Sequence, residues 1–351
     1  MLGTLAEIHG IARGRVDAKG VLRQWLEMMA MLAATRNGPA YYQMAALWRH
    51  DRGWSDILGH WSYRRYLAEI DRLNHTGYRK ISQYKLSEKA YLTQLGVPTP
   101  RLIGFLDPAT GRDTRGRPLR DARDLERLFA EDPADRVCFK LIEGWAGRGF
   151  VPVDVIRDRA TPRFRVLGEQ VAHTAAELLA RPDLADGEAR LIEAYVASDP
   201  ILASFNPSSL NTLRLWVLRR GAAAVTRLAY LRVGRAGAHV DNDSPNRVVV
   251  PVDLDTGRLG AAHDGKKWHR TYPVHPDHGA PIEGVVLPKF AEAKALAESV
   301  LVLFPQLDFA GMDIAMSVTG PLVIELNPQP DREGAPFVGM TTRAAFDGAR
   351  P

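Results

Sequence analysis

The sequence predicts an α+β chain, with a helical N-terminal region followed by a strand-rich body. Three observations carry that expectation. Apolar and aromatic residues recur at helical spacing through residues 1–75. From residue 137 onward, short apolar runs rich in β-branched residues alternate with turn signals. Near the C-terminus, two alternating apolar runs flank Thr319-Gly320-Pro321 and read as a β-hairpin.

The chain has 351 residues, of which 46% are hydrophobic. That length accommodates two or three domains with real cores, and the composition excludes a disordered chain. Cys138 is the single cysteine, so no intramolecular disulfide forms and a reducing compartment fits. No basic-plus-apolar leader appears, and no apolar run approaches the roughly 18 residues of a membrane span. The expectation is a cytoplasmic protein with no membrane partner. The net charge of +5 suits anionic ligands such as nucleotide phosphates. Basic and acidic residues are interleaved too evenly to argue for nucleic acid.

In chain order, Trp25, Leu26, Met28, Met29 and Leu32 set a first helix, which Gly38-Pro39 breaks. Trp54, Trp61, Tyr63 and Tyr66 supply either an aromatic core or a ligand-stacking surface, and residues 1–75 are expected to be semi-independent. A later helix closes at Leu95-Gly96, and Val97-Pro98-Thr99-Pro100 runs into an extended strand. Residues 107–120 read as an exposed loop, and Asp121 as the N-cap of a short helix. Strands are expected at 137–142, 190–196, 210–218, 225–233 and 248–252, with a polar loop over 197–209. The loop 261–284 holds His263, His269, His275 and His278, whose spacings match no standard zinc set. Residues 289–304 read as an amphipathic helix.

Lys140 lies inside the buried-strand run 137–142. A lysine there ordinarily sits at an edge or snorkels. The glycine-containing turn Gly144-Trp145-Ala146-Gly147-Arg148-Gly149, just after that strand, weakens this reading. Glycines let backbone N–H groups approach a phosphate closely, and the lysine would aim at the same group. No GxxxxGK[ST] run occurs, so this is no P-loop, and such a turn alone is a weak signal. Arg214 falls within the apolar run 210–218. An unpaired buried guanidinium is costly, so Arg214 is expected to meet an anion. That anion is either a ligand or an internal partner, Asp241 or Glu325.

In the hairpin, alternation puts Met312, Ile314 and Met316 on one face and Asp313 and Ala315 on the other. On the return strand Leu322, Ile324 and Leu326 share a face, and Val323, Glu325 and Asn327 share the opposite one. A three-residue turn centred on Thr319 would set Asp313 opposite Glu325, with Cβ atoms about 5 Å apart. Carboxylates that close repel unless a cation lies between them. Asp313, Glu325 and Asn327 form an all-oxygen set that suits Mg²⁺. The plain alternative is a hairpin with its polar face in water.

Taken together, these motifs resemble the ATP-grasp superfamily. Lys85 starts a helix before Gly96-Val97-Pro98, Phe139-Lys140 precedes the glycine turn, and Leu191-Ile192-Glu193 precedes a short linker. Gly311-Met312-Asp313 and Ile324-Glu325-Leu326-Asn327 close the set. Asn211-Thr212-Leu213-Arg214, Leu231-Arg232-Val233-Gly234, Val240-Asp241-Asn242 and His275-Pro276 are similar to the sugar-transfer-associated ATP-grasp family. The resemblance covers about residues 78–330. It implies two α+β subdomains with antiparallel sheets clasping ATP. The implied boundaries are a helical region over 1–77, a small lid subdomain over 78–192, a C-terminal subdomain with the metal site over 193–340, and a tail over 341–351.

Residue by residue, the resemblance implies that Lys85 and Lys140 contact ATP phosphates. Gly144, Gly147 and Gly149 would shape a mobile phosphate-covering loop, with Arg148 near the γ-phosphate. Glu193 would accept from the adenine amino group. The backbone of Ala194, Tyr195 and Val196 would complete the adenine edge, and Asp199 would contact the ribose. Asp313, Glu325 and Asn327 would hold Mg²⁺. Lys140, Arg148 and Arg214 are the implied catalytic residues, Arg214 stabilising the transferring phosphoryl group or an acyl phosphate. Arg232, Asp241, Asn242, Asn246 and Arg247 are expected at the acceptor. In one departure, Asp243-Ser244-Pro245-Asn246-Arg247 replaces the Gly-Gly pair that family members usually show after Asp241-Asn242. Where that segment shapes the acceptor pocket, the substrate differs from that of typical members.

The implied activity is ADP-forming, ATP- and Mg²⁺-dependent ligation of a small-molecule carboxylate to an amine or hydroxyl acceptor through an acyl phosphate. Glycan, peptide or natural-product biosynthesis would use such a step. Two alternatives stay open: a kinase of a sugar or other hydroxyl, and a nucleotide-binding module without catalysis. No Ser/His/Asp triad or reactive-cysteine motif argues for a covalent enzyme intermediate. A homodimer is compatible with the resemblance.

Overall fold

The computed structural model describes residues 17–144, 147–239, 241, 248–265 and 270–348. The N-terminal region is helical over Val21–Thr35, Pro39–Met44, Trp54–Gly59 and Tyr63–Leu73. Ser62 caps the last of these, accepting from the Arg65 N–H at 3.1 Å. The first helix turns Leu22, Leu26 and Met29 outward and buries Gln24, Glu27, Met28 and Met31. The apolar stripe read from the sequence is therefore only partly the buried face. Charge pairing sets the rotation. Fully buried Glu27 accepts from Lys19 Nζ at 2.7 Å and from the Tyr42 hydroxyl at 2.6 Å, and a buried ion is retained only with partners.

A first sheet contains β1 (Leu102–Leu106), β2 (Arg112–Asp113), β3 (Arg136–Leu141), β4 (Val151–Ile156), β5 (Arg163–Val166) and β6 (Arg190–Ala194). Its order is β2-β1-β6-β3-β4-β5, with every pairing antiparallel. Helices Ala122–Glu131 and Ala175–Leu179 cover it around Phe129, Phe139, Val153 and Phe164. Asp121 is the N-cap read from the sequence, accepting from the Asp124 N–H at 2.9 Å.

A second sheet contains β7 (Thr212–Arg220), β8 (Ala223–Val233), β9 (Val248–Pro251), β10 (Ala262–His263), β11 (Thr271–Tyr272), β12 (Phe309–Ser317) and β13 (Gly320–Asn327). Its order is β11-β10-β9-β8-β7-β12-β13, again antiparallel throughout. Helix Phe290–Val302 packs on one face, where Ala293, Ala297 and Val300 meet Leu213, Leu215 and Val217. The other face carries Trp216, Leu218, Tyr230 and Phe309 against Tyr42, Trp48, Tyr66 and Ile70. Alternate residues of β7 thus serve two cores, which explains its nearly unbroken apolar run.

Several packing relations differ from the sequence reading. The N-terminal helices, expected to be semi-independent, share one core with the second sheet. Leu92, on the helix Lys85–Gln94, packs into the second sheet's core rather than the first's. Residues 341–348 are no loose tail, because helix Thr342–Ala345 buries Ala345 and Phe346 follows it into the same core. The polar loop 197–209 contains helix Pro200–Phe205. Among the described residues, no helix is long and apolar enough to cross a membrane.

Candidate functional site

The hairpin reaches its expected pairing by an unexpected route. Ser317 pairs with Gly320 across the two-residue turn Val318-Thr319. The register then shifts between Asp313 and Ile314, leaving Ile324 as an extra residue, and Asp313 falls opposite Glu325. This β-bulge also re-aims side chains. Val323 and Leu326 enter the core, while Ile324 turns with Glu325 and Asn327 to a cavity. The face expected for Val323 and the one expected for Ile324 are therefore exchanged.

That cavity, of about 350 Å³, brings together Lys85, Lys140, Gly144, Gly147 and Arg148 with Glu193. Arg214, Arg232, Asp241, Asp313, Glu325 and Asn327 line the rest of its wall. Lys85 starts its helix and donates from Nζ to the Gly144 carbonyl at 2.7 Å. Gly147 and Gly149 have φ of 75° and 66°, and a Cβ on Gly149 would stand 2.7 Å from Leu141 Cγ. The turn is thus built from glycines that no L side chain would replace without strain. Trp145 and Ala146 lie outside the described residues.

Glu193 is fully buried, and its carboxylate is already partnered. Lys140 Nζ lies 2.6 Å from Oε2 and Lys89 Nζ 3.0 Å from Oε1. Burial pushes this carboxyl up, but Lys140 and Lys89 more than offset that and hold it below the ordinary range. Burial likewise works against the Lys140 charge, and Glu193 outweighs it, raising the ammonium's pKa. Glu193 lines the first cavity, and its Oε1, 3.0 Å from Lys89 Nζ, takes no hydrogen bond. The backbone N–H groups of Ala194 and Tyr195 donate to the Arg101 and Arg136 carbonyls at 2.9 and 3.0 Å. Asp199 caps helix Pro200–Phe205. Ala194, Tyr195, Val196 and Asp199 do not line the first cavity. Tyr195 instead borders a second one of about 610 Å³ with Arg136, Ser198 and His239, and His239 borders both.

At the other end a buried charge network forms. Asp313 accepts from Arg214 Nε, from Arg214 Nη2 at 3.0 Å and from Arg232 Nη2 at 2.6 Å. Burial raises the Asp313 carboxyl, but the two guanidiniums prevail and lower it. Arg232 also donates to Thr212 Oγ1 at 2.6 Å, and Asp241 accepts the Thr212 N–H at 2.9 Å. Burial raises the Asp241 carboxyl more than Arg232 and Thr212 lower it. The internal partner of Arg214 is therefore Asp313, not Asp241 or Glu325. Of the acceptor residues, Arg232 and Asp241 line the cavity, while Asn242, Asn246 and Arg247 lie outside the described residues. His263 and His275 are buried and bond the carbonyls of Phe337 (3.0 Å) and Gly234 (3.1 Å). His269 also lies outside the described residues.

Among the described residues, no group of three or more His, Cys, Asp and Glu side chains is placed to hold a metal. The trio of two carboxylates and an amide fits a hard cation that takes its remaining oxygens from phosphates and water. Glu325 and Asn327 are partly exposed on the cavity wall, whereas both oxygens of Asp313 already accept from arginine. The donor set therefore fits Mg²⁺ with Glu325 and Asn327 as its accessible members.

The sequence reading missed Lys89, Glu88 and the wall residues Gln329, Pro330 and Asp331. Lys89 lies four residues after Lys85, which puts both on one helix face. That spacing could have found it. Glu88 is fully buried, accepts the Leu326 N–H at 2.6 Å and has its carboxyl pushed up to about 8, first by burial and then by Glu325.

A sequence model of the family described as sugar-transfer associated ATP-grasp matches residues 70–342. The chain belongs to this family. Its two antiparallel sheets around the cavity are the ATP-grasp fold. Among curated proteins, none matches the chain. Solved structures of similar fold include the D-alanine-D-alanine ligase from Coxiella burnetii, at 12% identity and TM-score 0.42, covering 76% of this chain and 56% of that one. D-cycloserine synthetase DcsG shows 14% identity and TM-score 0.44, over 89% of this chain and 80% of that one. A biotin carboxylase from Campylobacter jejuni shows 12% identity and TM-score 0.42, over 78% and 48%. The chain thus spans about half the length of two of these three structures.

Proposed function

We propose that this ATP-grasp protein is an ATP- and Mg²⁺-dependent, ADP-forming ligase that joins a small-molecule carboxylate to an amine or hydroxyl through an acyl phosphate. One observation carries the reading. A single cavity gathers Lys85, Lys140, Arg148, Arg214 and Arg232 with Glu325 and Asn327. Several cations lining one cavity with an oxygen-ligand set suit a polyphosphate that meets a second anion.

A carboxylate is a poor electrophile. Its oxygen would attack the γ-phosphorus of ATP, the bond to the β–γ bridging oxygen would break, and ADP would leave. The amine nitrogen or hydroxyl oxygen would then attack the carbonyl carbon, releasing phosphate with the former carboxylate oxygen and giving up a proton. Such a transfer needs charge neutralisation and alignment more than covalent help. Lys85 and Lys140 would hold the phosphates, and Lys140 would exchange its bond to Glu193 for one to ATP. Arg214 and Arg232 would orient the acid and the transferring group. Glu325 and Asn327, beside Asp313, would hold Mg²⁺, which would supply charge neutralisation for the phosphates. The arginine pair favours an anionic acid over a neutral sugar hydroxyl as the first acceptor.

The test is a nucleotide-release screen with pooled carboxylic acids and amines, followed by turnover of the active acid labelled with ¹⁸O in its carboxylate. One label should appear in the released phosphate. Unlabelled phosphate from an active enzyme would replace this mechanism with a hydroxyl kinase or an adenylate route.

A further inference from the structure

We infer that the N-terminal helical region holds the metal-binding end of the hairpin in place, with Tyr66 and Asn74 as positioning residues for Asn327. The inference rests on the proposed metal role of Glu325 and Asn327.

After Asn327 the chain continues as Pro328-Gln329-Pro330-Asp331, and Gln329, Pro330 and Asp331 line the cavity. A segment with proline at alternate positions lacks the N–H groups that would pair it into a sheet. Its carbonyls still need donors where they are buried. The N-terminal region supplies them. Asn74, fully buried, donates from Nδ2 to the Pro328 carbonyl at 2.5 Å and to the Phe309 carbonyl at 2.8 Å. Its Oδ1 accepts the Asp308 and Phe309 N–H groups, each at 3.0 Å. One side chain thus ties the start of β12 to the exit of β13. The Tyr66 hydroxyl donates to the Pro330 carbonyl at 2.5 Å, and its ring stacks on Trp216 at 6.3 Å.

The far end of the strap is held in the same way. Arg332 donates to Asn37 Oδ1 at 2.8 Å and to the Trp61 carbonyl at 3.1 Å, with its guanidinium 4.2 Å from the Tyr41 ring centroid. On the sheet side, a Cβ on Gly311 would stand 2.8 Å from Pro330 Cβ, so Pro330 sits directly on β12. The strap is gripped between the sheet and the helical region, one residue beyond a proposed metal ligand. Neither side chain touches Asn327; both fix the backbone that carries it. Losing a partner bonded directly to a ligand costs about 10- to 100-fold in metal affinity, which sets the upper scale here. Tyr66 lies outside the residues 70–342 that match the family, so this support is built partly from the chain's own N-terminal region.

The experiment titrates Mg²⁺ into the full-length protein with ATP and reads ATP binding by calorimetry, for wild type, Tyr66→Phe and Tyr42→Phe. Tyr66→Phe keeps the stacked ring and removes the bond to Pro330. It should raise the Mg²⁺ concentration needed for half-maximal binding about tenfold, with ATP binding in EDTA unchanged. Tyr42→Phe removes a buried hydroxyl bonded to Glu27 in the same region. It should lower the melting temperature and leave the Mg²⁺ titration alone. A wild-type protein whose ATP binding ignores Mg²⁺ overturns the metal assignment and this inference together. A Mg²⁺-dependent wild type that Tyr66→Phe matches overturns the inference alone. Equal shifts in both variants would also overturn it, as an effect of general destabilisation.

Discussion

Arg214 on β7 and Asp313 on β12 are directly paired residues of neighbouring strands, with Nη2 3.0 Å from Oδ2. Arg232 on β8 reaches the same oxygen at 2.6 Å. Asp313 therefore holds two buried guanidiniums together as well as standing on the proposed metal face. Removing it would leave buried Arg214 without its carboxylate partner, beside an Arg232 that keeps Asp241 at 3.5 Å.

Asp313→Ala should therefore cost stability of roughly 3–5 kcal/mol, the usual range for breaking a buried ion pair from one side. The loss should appear as a lower melting temperature with or without nucleotide. Glu325→Gln, on a partly exposed wall position, should leave the melting temperature nearly unchanged and weaken Mg²⁺-dependent ATP binding. An Asp313→Ala protein that melts like wild type would mean the arginines find other anions. An unchanged Mg²⁺ titration in Glu325→Gln would remove that residue from the metal set.

The acidic face was legible because strand alternation is a local rule, and Asp313, Glu325 and Asn327 obey it across a short hairpin. The turn length was misread, and the bulge at Ile324 restored the pairing, since a bulge inserts one residue into a strand's count. The arginine network was only half legible. Burial of Arg214 foretold an anion, but Asp313 sits 99 residues away and alternation cannot say which strands are neighbours. The bracing of the strap was not legible at all. Tyr66 and Pro330 are separated by 264 residues, and Asn74 and Pro328 by 254. Glu193 carried a family role in the sequence reading, but its pairing with Lys89 depends on how the helix Lys85–Gln94 packs against the sheets.

His60 predicts an acid-side loss of stability. It is buried, lies 3.0 Å from the Tyr41 hydroxyl, and its pKa is lowered from 6.5 to about 4, chiefly by burial, with Arg332 and Arg52 adding. Between those values the unfolded chain binds a proton that the folded protein refuses. Stability should fall as pH drops from 6.5 towards 4, by on the order of 3 kcal/mol from this group. His60→Gln should flatten the melting-temperature profile across that window. A variant that falls as steeply as wild type would assign the loss to other groups.

Glu88 predicts the opposite slope. Its carboxyl is raised from 4.5 to about 8, so the folded protein keeps a proton that the unfolded chain releases. Stability should fall as pH rises through that window. Glu88→Gln retains an oxygen for the Leu326 N–H and cannot ionise. Its melting temperature relative to wild type should therefore climb between pH 5 and pH 8, measured without nucleotide. A constant difference across that range would show that Glu88 is already ionised in the fold.

Arg214→Lys separates a reacting role from a structural one. Lysine keeps a charge near Asp313 but loses the two-pronged bond from Nε and Nη2. Asp313 retains Arg232 at 2.6 Å, so no carboxylate is left unpaired and the variant should still fold. If Arg214 touches the transferring phosphoryl group or the acyl phosphate, its planar fork matters most when charge is spread over several oxygens. The variant should then lower kcat on the order of 10²-fold, as loss of one oxyanion donor does, with a much smaller change in ATP affinity. If Arg214 serves only the network, kcat should hold and the melting temperature should drop with or without substrate. Measuring both on the same preparation decides, because a transition-state contact and a structural ion pair move different observables.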